Sequence, residues 1–207
     1  MKRNLFIFFL LTIFFQVSSC KKFLEEQSQT DIIPRSASAL NELLIGAAYN
    51  ETAGTGVDYS LNFLDDDTME DTFYPIGGDL YFTYTWQPQS LGKPDAVPGA
   101  SSWRAIYPRI LGCNIVLDYV PKVSGTIAEL ENVAGQAYLL RAFYYFRLVN
   151  LYGKPYIDLR SNPAQDLGVP LILSSGLSFE GRARNTVAEV YAQILKDLDK
   201  GIELLER

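Results

Sequence analysis

The chain has 207 residues, 48% of them hydrophobic, with 24 acidic and 18 basic side chains, a net charge of −6, two cysteines and no histidine. Without histidine there is no Ser-His-Asp or Cys-His catalysis, no HExxH zinc site and no histidine pH switch. An acidic balance with no basic stripe excludes nucleic acid as a partner, and the length allows one domain with a sizeable core.

Lys2 and Arg3 precede an apolar run from Leu5 to Phe15, broken only by Thr12. About eleven residues cannot span a bilayer, which takes roughly 20, but they fit the apolar region of a secretory signal. The run ends Val17-Ser18-Ser19-Cys20, which resembles a bacterial lipobox. Residues 1–19 are therefore read as a lipoprotein signal peptide, and Cys20 as the lipidated first residue of the mature chain. The competing reading is an ordinary cleavage site beside a chance cysteine. Several acyl chains on one cysteine hold far more firmly than one myristoyl chain, so a membrane anchor without a span is expected. With Cys20 acylated only Cys113 remains, and no internal disulfide can form.

Residues 20–35 make a polar, lipidated tether ending at Pro34, and residues 36–207 the folded domain. A helix is expected over Ser36–Asn50, where Leu40, Leu43, Leu44, Ala47 and Ala48 share a face. Residues 57–100 keep no helical period. They hold prolines at 75, 88, 94 and 98 and a dense aromatic set that includes Tyr59, Phe63, Phe73, Tyr81, Tyr84 and Trp86. A long irregular segment inside a compact domain is more often functional than idle. Its acidic cluster, Asp65 to Asp71, fails the spacing of a calcium loop and reads as solvated, so no metal site is assigned.

A second helix is expected from Ser102 to Val120, capped by Ser101 and stopped by Pro121. Trp103, Ile106, Tyr107, Ile110, Leu111, Asn114 and Leu117 lie on one side of it. Pro108 should kink this helix or delay its regular start. Cys113 is expected to be buried and inert, and Asn114, on an apolar face, to satisfy a neighbouring backbone group.

The longest element runs from Thr126 to Pro155. Thr126 and Glu129 form a capping box, and Gly153 and Pro155 close the far end, with the glycine expected in the left-handed conformation. One stripe from Ile127 to Tyr152 repeats at steps of three and four. A second set, Leu139, Leu140, Phe143, Tyr144, Phe146 and Val149, makes the middle apolar nearly all round. Such a helix must be packed on more than one side. Tyr156–Leu159 and Val169–Leu173 then read as short extended runs around a polar loop, Arg160 to Leu167. Thr186 and Glu189 open a last helix whose stripe runs Val187, Val190, Tyr191, Ile194, Leu195, Leu198, Ile202 and Leu205. The fold class is thus dominated by α-helix. It is a tetratricopeptide-like helical repeat scaffold with an irregular segment and a few short strands, although the ~34-residue consensus is not met.

The run ENVAGQAYLLRAFYYFRLVNLYGKP, preceded by WRAIYPRILGCN and followed by GVPLIL and NTVAEVYAQILKDLD, resembles the N-terminal region of the SusD/RagB family. That resemblance implies a surface nutrient-binding lipoprotein of the outer membrane, working with a SusC-like TonB-dependent transporter, with a glycan or peptide as ligand and no cofactor. It also implies that ligand contacts come from irregular segments, which makes residues 57–100 the ligand-binding candidate. Tyr81, Tyr84 and Trp86 are the chosen ligand-binding residues, because such rings stack on the apolar faces of sugars. The bland alternative is that these rings only pack beneath the loop. Family members are much longer, so the resemblance implies a truncated product or fragment of marginal stability. The competing classes are a surface glycoside hydrolase, a pure scaffold and a remnant without function. The hydrolase would draw on Asp65, Asp67, Glu70 and Asp71, but nothing sets two of them across a cleft. The reading is therefore of a binding protein and not an enzyme.

Overall fold

The computed structural model describes residues 33–49, 102–176, 178 and 180–206. Four helices are formed among them: α1 (Ala37–Ala48), α2 (Ser102–Tyr119), α3 (Ile127–Tyr152) and α4 (Val187–Leu205), with a 3-10 turn over Val120–Lys122 after α2. The described residues from Pro34 onward belong to one compact unit. None of these helices is long and apolar enough to cross a membrane.

Three of the helices, α1, α3 and α4, start where a side chain satisfies free amides of the first turn. Ser36 Oγ accepts from the Ala39 amide at 3.2 Å. At α3, Thr126 Oγ1 accepts from the Glu129 amide at 3.3 Å while the Thr126 amide and hydroxyl each donate to Glu129 Oε2 at 2.8 Å. At α4, Thr186 and Glu189 repeat the reciprocal pair at 3.2 and 2.8 Å. Both capping boxes are as expected from sequence.

Those two glutamates carry a pH dependence. Hydrogen bonds from Thr126, backbone first and hydroxyl second, hold the Glu129 carboxyl below its ordinary value. Glu189 is lowered by the Thr186 backbone and then the Asn185 side chain. A lowered folded value means the stabilisation is present above the unfolded glutamate value of about 4.3 and is lost as pH falls through the lower folded value. Thermal unfolding followed by circular dichroism should therefore show a smaller loss of Tm from pH 7 to pH 3.5 in E129Q/E189Q than in the parent. Equal losses would show that the boxes do not carry the dependence.

α3 is the centre of the assembly and packs against α1, α2 and α4. Its buried residues include Val133, Ala137, Tyr144, Tyr145, Leu148 and Val149, which meet Leu40 and Leu44 of α1, Ile106 and Ile110 of α2, and Val190 and Ile194 of α4. Each large side chain so buried contributes about 1.5–3 kcal/mol, which outweighs any helix propensity in the same residues. The expectation that α3 is covered on more than one side holds. Phe143 and Phe146 nevertheless stay 43% and 47% exposed, so the apolar middle is open on its remaining side. Against α4 the approach is close because Gly135 and Gly201 face each other: a Cβ on Gly201 would lie 3.1 Å from the Gly135 carbonyl oxygen. α4 itself has two apolar stripes. Val187, Val190, Ile194 and Gly201 are buried, whereas Leu195, Ile202 and Leu205 are exposed.

Three local expectations are corrected. Gly153 has φ −97° and ψ 169°, an extended and not a left-handed conformation. What needs glycine there is space, since a Cβ would come within 2.7 Å of the Val149 carbonyl oxygen and 3.3 Å of Val187 Cγ2. α2 runs from Ser102 straight through Pro108, so its start is not delayed. The few short strands of the expected fold class are not seen: among the described residues there are only two isolated bridges, Ser36 with Ser124 and Leu167 with Thr186. Val169–Leu173 is extended but bonds mostly to side chains instead of a neighbouring strand, apart from the Asn185 amide donating to the Val169 carbonyl at 3.2 Å. The Leu171 amide donates to Asn185 Oδ1 at 2.9 Å, and the Ile172 amide to the Tyr145 hydroxyl at 2.7 Å. Tyr156–Leu159 ends in a turn, with the Arg160 amide donating to Asp158 Oδ1 at 2.7 Å.

Candidate functional site

Tyr81, Tyr84 and Trp86, the acidic residues Asp65, Asp67, Glu70 and Asp71, and Cys20 all lie outside the described residues. The structure does describe the frame on either side of residues 50–101. On the near side, the last turn of α1 is held by two neighbours. The Tyr144 hydroxyl of α3 donates to the Ala48 carbonyl, and Arg109 Nη1 of α2 donates to the Tyr49 carbonyl at 2.6 Å. The Tyr49 hydroxyl in turn donates to Gln136 Oε1 at 2.6 Å. On the far side, the Trp103 amide donates to the Tyr152 hydroxyl at 3.1 Å. The Trp103 ring lies 4.9 Å from that of Tyr107 and 5.1 Å from that of Tyr152, tilted on the first and edge-on to the second. Aromatic contacts of this kind add about 0.5–1.5 kcal/mol each to simple burial. The residues that flank 50–101 on both sides are thus held to packed helices.

A buried polar seam joins three of the helices to the loop that follows α3. Arg141 of α3 is 5% exposed and Asp197 of α4 1%. Arg141 Nε and Nη2 donate to the two carboxylate oxygens of Asp197, both at 2.7 Å, while Nη1 donates to Asn114 Oδ1 of α2 at 2.8 Å. The fork geometry of the guanidinium suits this three-way arrangement. Burial alone would lower the Arg141 pKa, but the hydrogen bonds and charge of Asp197 outweigh it and hold the value above the ordinary one. Gln193 Nε2 adds a bond to Asp197 Oδ1 at 2.8 Å.

From this seam the contacts pass to residues 167–175. Asn114 Nδ2 donates to the Ile172 carbonyl at 2.7 Å, the Tyr145 hydroxyl to the same carbonyl at 2.8 Å, and the Tyr107 hydroxyl to the Pro170 carbonyl at 2.9 Å. Asp118 accepts from the Ser175 amide at 2.8 Å and the Ser175 hydroxyl at 2.7 Å. Arg184 donates to the carbonyls of Gly168, Tyr152 and Leu167 at 2.6, 2.7 and 2.9 Å. Asn114 therefore does satisfy a neighbouring backbone, as its place on an apolar face suggested. An open groove of about 900 Å³ lies beside the seam, lined by Tyr138, Leu173, Gln193, Lys196, Lys200 and Glu203 among others.

The chemistry of this arrangement is that of a clamp. Arg141, Asp197 and Asn114 are all engaged with each other or with backbone. Cys113 is buried as expected, and burial pushes its thiol up to about 12, far from nucleophilic at neutral pH. Burial also raises Tyr107, and raises Tyr145 to about 12, so both hydroxyls stay protonated as donors. Among the described residues no group of three His, Cys, Asp or Glu side chains is placed to hold a metal ion. Sequence reasoning missed the Arg141–Asp197 pair. Its signal was present: Arg141 is the one charge between Gln136 and Arg147, and Asp197 falls on the same α4 face as Val190, Ile194 and Gly201.

Residues 22–207 match the SusD-like family model described as "Starch-binding associating with outer membrane". The chain belongs to the SusD-like family. The SusD-like carbohydrate binding protein from Bacteroides vulgatus superposes with a TM-score of 0.64 at 25% identity over 83% of this chain and 36% of that one. A putative sugar binding protein from the same organism gives 0.60 at 25% identity, covering 84% and 38%. A SusD superfamily protein, also from Bacteroides vulgatus, gives 0.61 at 19% identity over 83% and 38%, which speaks for the fold alone. The chain therefore spans little more than a third of the length of these SusD-like structures. No curated protein shows significant similarity to it. SusD-like proteins are non-catalytic binding proteins, and the family description associates them with the outer membrane.

Proposed function

We propose that this chain serves as a surface glycan-binding lipoprotein, anchored through acylated Cys20, that delivers its ligand to a SusC-like TonB-dependent transporter. The observation that carries this reading is the family match over residues 22–207, together with 25% identity to a carbohydrate-binding SusD-like protein. The helices act as a tetratricopeptide-like frame. The ligand is taken by the irregular segment between α1 and α2, with Tyr81, Tyr84 and Trp86 as stacking rings. The anchored residues that flank that segment support this division of labour, because a binding loop needs a rigid scaffold to hold its geometry.

The test is a titration of the full chain, with C20S to keep it unlipidated, against maltohexaose, laminarihexaose and xylohexaose. Binding of at least one hexasaccharide without its cleavage is expected. Trp86→Ala should weaken it by about tenfold, the scale of one lost aromatic contact plus its burial. Hydrolysis of the bound sugar, or silence towards the whole panel, would overturn the reading.

A further inference from the structure

A second aromatic group stands apart in sequence from residues 57–100. Tyr191, in the second turn of α4, is half-buried and sits between two exposed rings. The ring of Tyr156 lies 5.0 Å away at 77°, and that of Phe146 6.4 Å away at 85°, both edge-on. Tyr156 is 46% exposed. In a T-shaped contact the rim of one ring meets at most one face of the other, so at least one face of Tyr156 is left clear of Tyr191.

Tyr156 also lines an open groove of about 750 Å³, shared with Ile157, Asp158, Asn162, Pro163 and Ala188 among others. That volume falls within the roughly 300–1,000 Å³ typical of small-molecule sites. The groove wall is fixed in place. Lys154 Nζ bonds Asp166 Oδ1 at 2.7 Å, the Asn162 amide donates to Asp166 Oδ2 at 2.6 Å, and the Ala188 amide donates to the Pro163 carbonyl at 2.9 Å. The Lys154 hydrogen bond, with that of the Asn162 backbone, keeps the Asp166 carboxyl below its ordinary value, so the tie is intact at neutral pH. Asn162, which is exposed, uses only its backbone in these bonds, and its side-chain amide makes none among the described residues. Asp158 uses one carboxylate oxygen, Oδ1, within its own turn. An uncovered ring face, a free amide and a free carboxylate oxygen along one rigid groove match a pyranose ring. Such a ring has an apolar face and a rim of hydroxyls that both donate and accept.

We propose that Tyr156, braced by Tyr191, is a stacking platform for one pyranose unit of a glycan, with the Asn162 amide and Asp158 carboxylate bonding its hydroxyls. This rests on the reading that the chain binds glycans, and adds a contact outside residues 57–100. The experiment uses the unlipidated full chain and the same three hexasaccharides, followed by calorimetry and by saturation-transfer NMR. For the hexasaccharide that binds, Tyr156→Ala should weaken affinity by about tenfold and Asn162→Ala by a smaller factor. Tyr156→Phe, which keeps the ring face, should change it by less than about twofold. Circular dichroism of each variant, unchanged from the parent, checks that the fold is kept. If Trp86→Ala abolishes binding while Tyr156→Ala leaves it at the parent value, this inference falls and the glycan-binding reading stands. If Tyr156→Ala and Tyr156→Phe weaken binding equally, the hydroxyl and not the ring is at work, and the stacking platform is refuted. No binding of any hexasaccharide by the parent overturns both.

Discussion

Arg141→Met is expected to cost about 3–5 kcal/mol of stability, the scale for breaking a buried ion pair from one side. The cost comes mainly from what the substitution leaves behind. Asp197 is 1% exposed, and without the guanidinium its carboxylate keeps, among the described residues, only the Gln193 amide as a partner. That carboxylate is then left in a poorly solvating interior without its counter-charge. Asn114 loses the donor to its Oδ1, and with it part of the constraint that points its Nδ2 at the Ile172 carbonyl. Against a typical total of about 5–15 kcal/mol, this loss should bring the protein close to unfolding at room temperature. Urea denaturation followed by far-UV circular dichroism is the measurement. The double variant Arg141→Met/Asp197→Leu separates the two possible meanings. If the seam serves mainly to avoid an uncompensated charge, the double variant recovers most of the stability, because both desolvation costs vanish together. If it stays as unstable as the single variant, the bonds themselves were stabilising. A loss under about 1 kcal/mol in Arg141→Met would mean that water already reaches the pair, and would contradict its burial.

What the sequence made legible follows the range of the interactions involved. Both capping boxes act across three residues, and the apolar stripes across four, so each is written out in consecutive sequence. Cys113 and Asn114 are readable because a small group on an apolar face has few outcomes other than burial, although the carbonyl that Asn114 satisfies, that of Ile172, lies 58 residues away. Arg141 and Asp197 lie 56 residues apart, and only the packing of α3 on α4 brings them together. Each reads alone as an exposed charge on a helix. Val169–Leu173 is extended as its pattern suggests, and the partners of its backbone, Tyr145, Asn114 and Asn185, come from distant sequence rather than from a neighbouring strand. Gly153 was assigned by conformation when the true constraint is the proximity of Val149 and Val187. The candidate ligand residues Tyr81, Tyr84 and Trp86 lie outside the described residues, and their role rests on composition and family likeness.

Gly201→Val should be the other severe substitution, at about 3 kcal/mol, from overpacking a closed helix contact. The comparison with Gly46 shows why. Both are helical glycines, and replacing glycine by alanine in a helix interior normally gains about 1 kcal/mol. At Gly46 a new Cβ would meet nothing within 4 Å, so Gly46→Ala should show that gain as a raised urea midpoint. At Gly201 the Cβ would lie 2.7 Å from Leu139 Cγ and Cδ2, and 3.1 Å from the Gly135 carbonyl oxygen. Leu139 is only half-buried and can rotate away. The carbonyl belongs to the backbone of α3 and can move only if the two helices part. Alanine at this site sets the propensity gain against a partial clash and should end near neutral or below. Valine adds two methyl groups and a stiff χ1, which a rotation of Leu139 cannot absorb. Parting α3 from α4 would also strain the Arg141–Asp197 bonds, so the effects of Gly201→Val and Arg141→Met should be less than additive in the double variant. A parental urea midpoint for Gly201→Val would show that the helices separate freely, and that the close glycine contact does not set the spacing of α3 and α4.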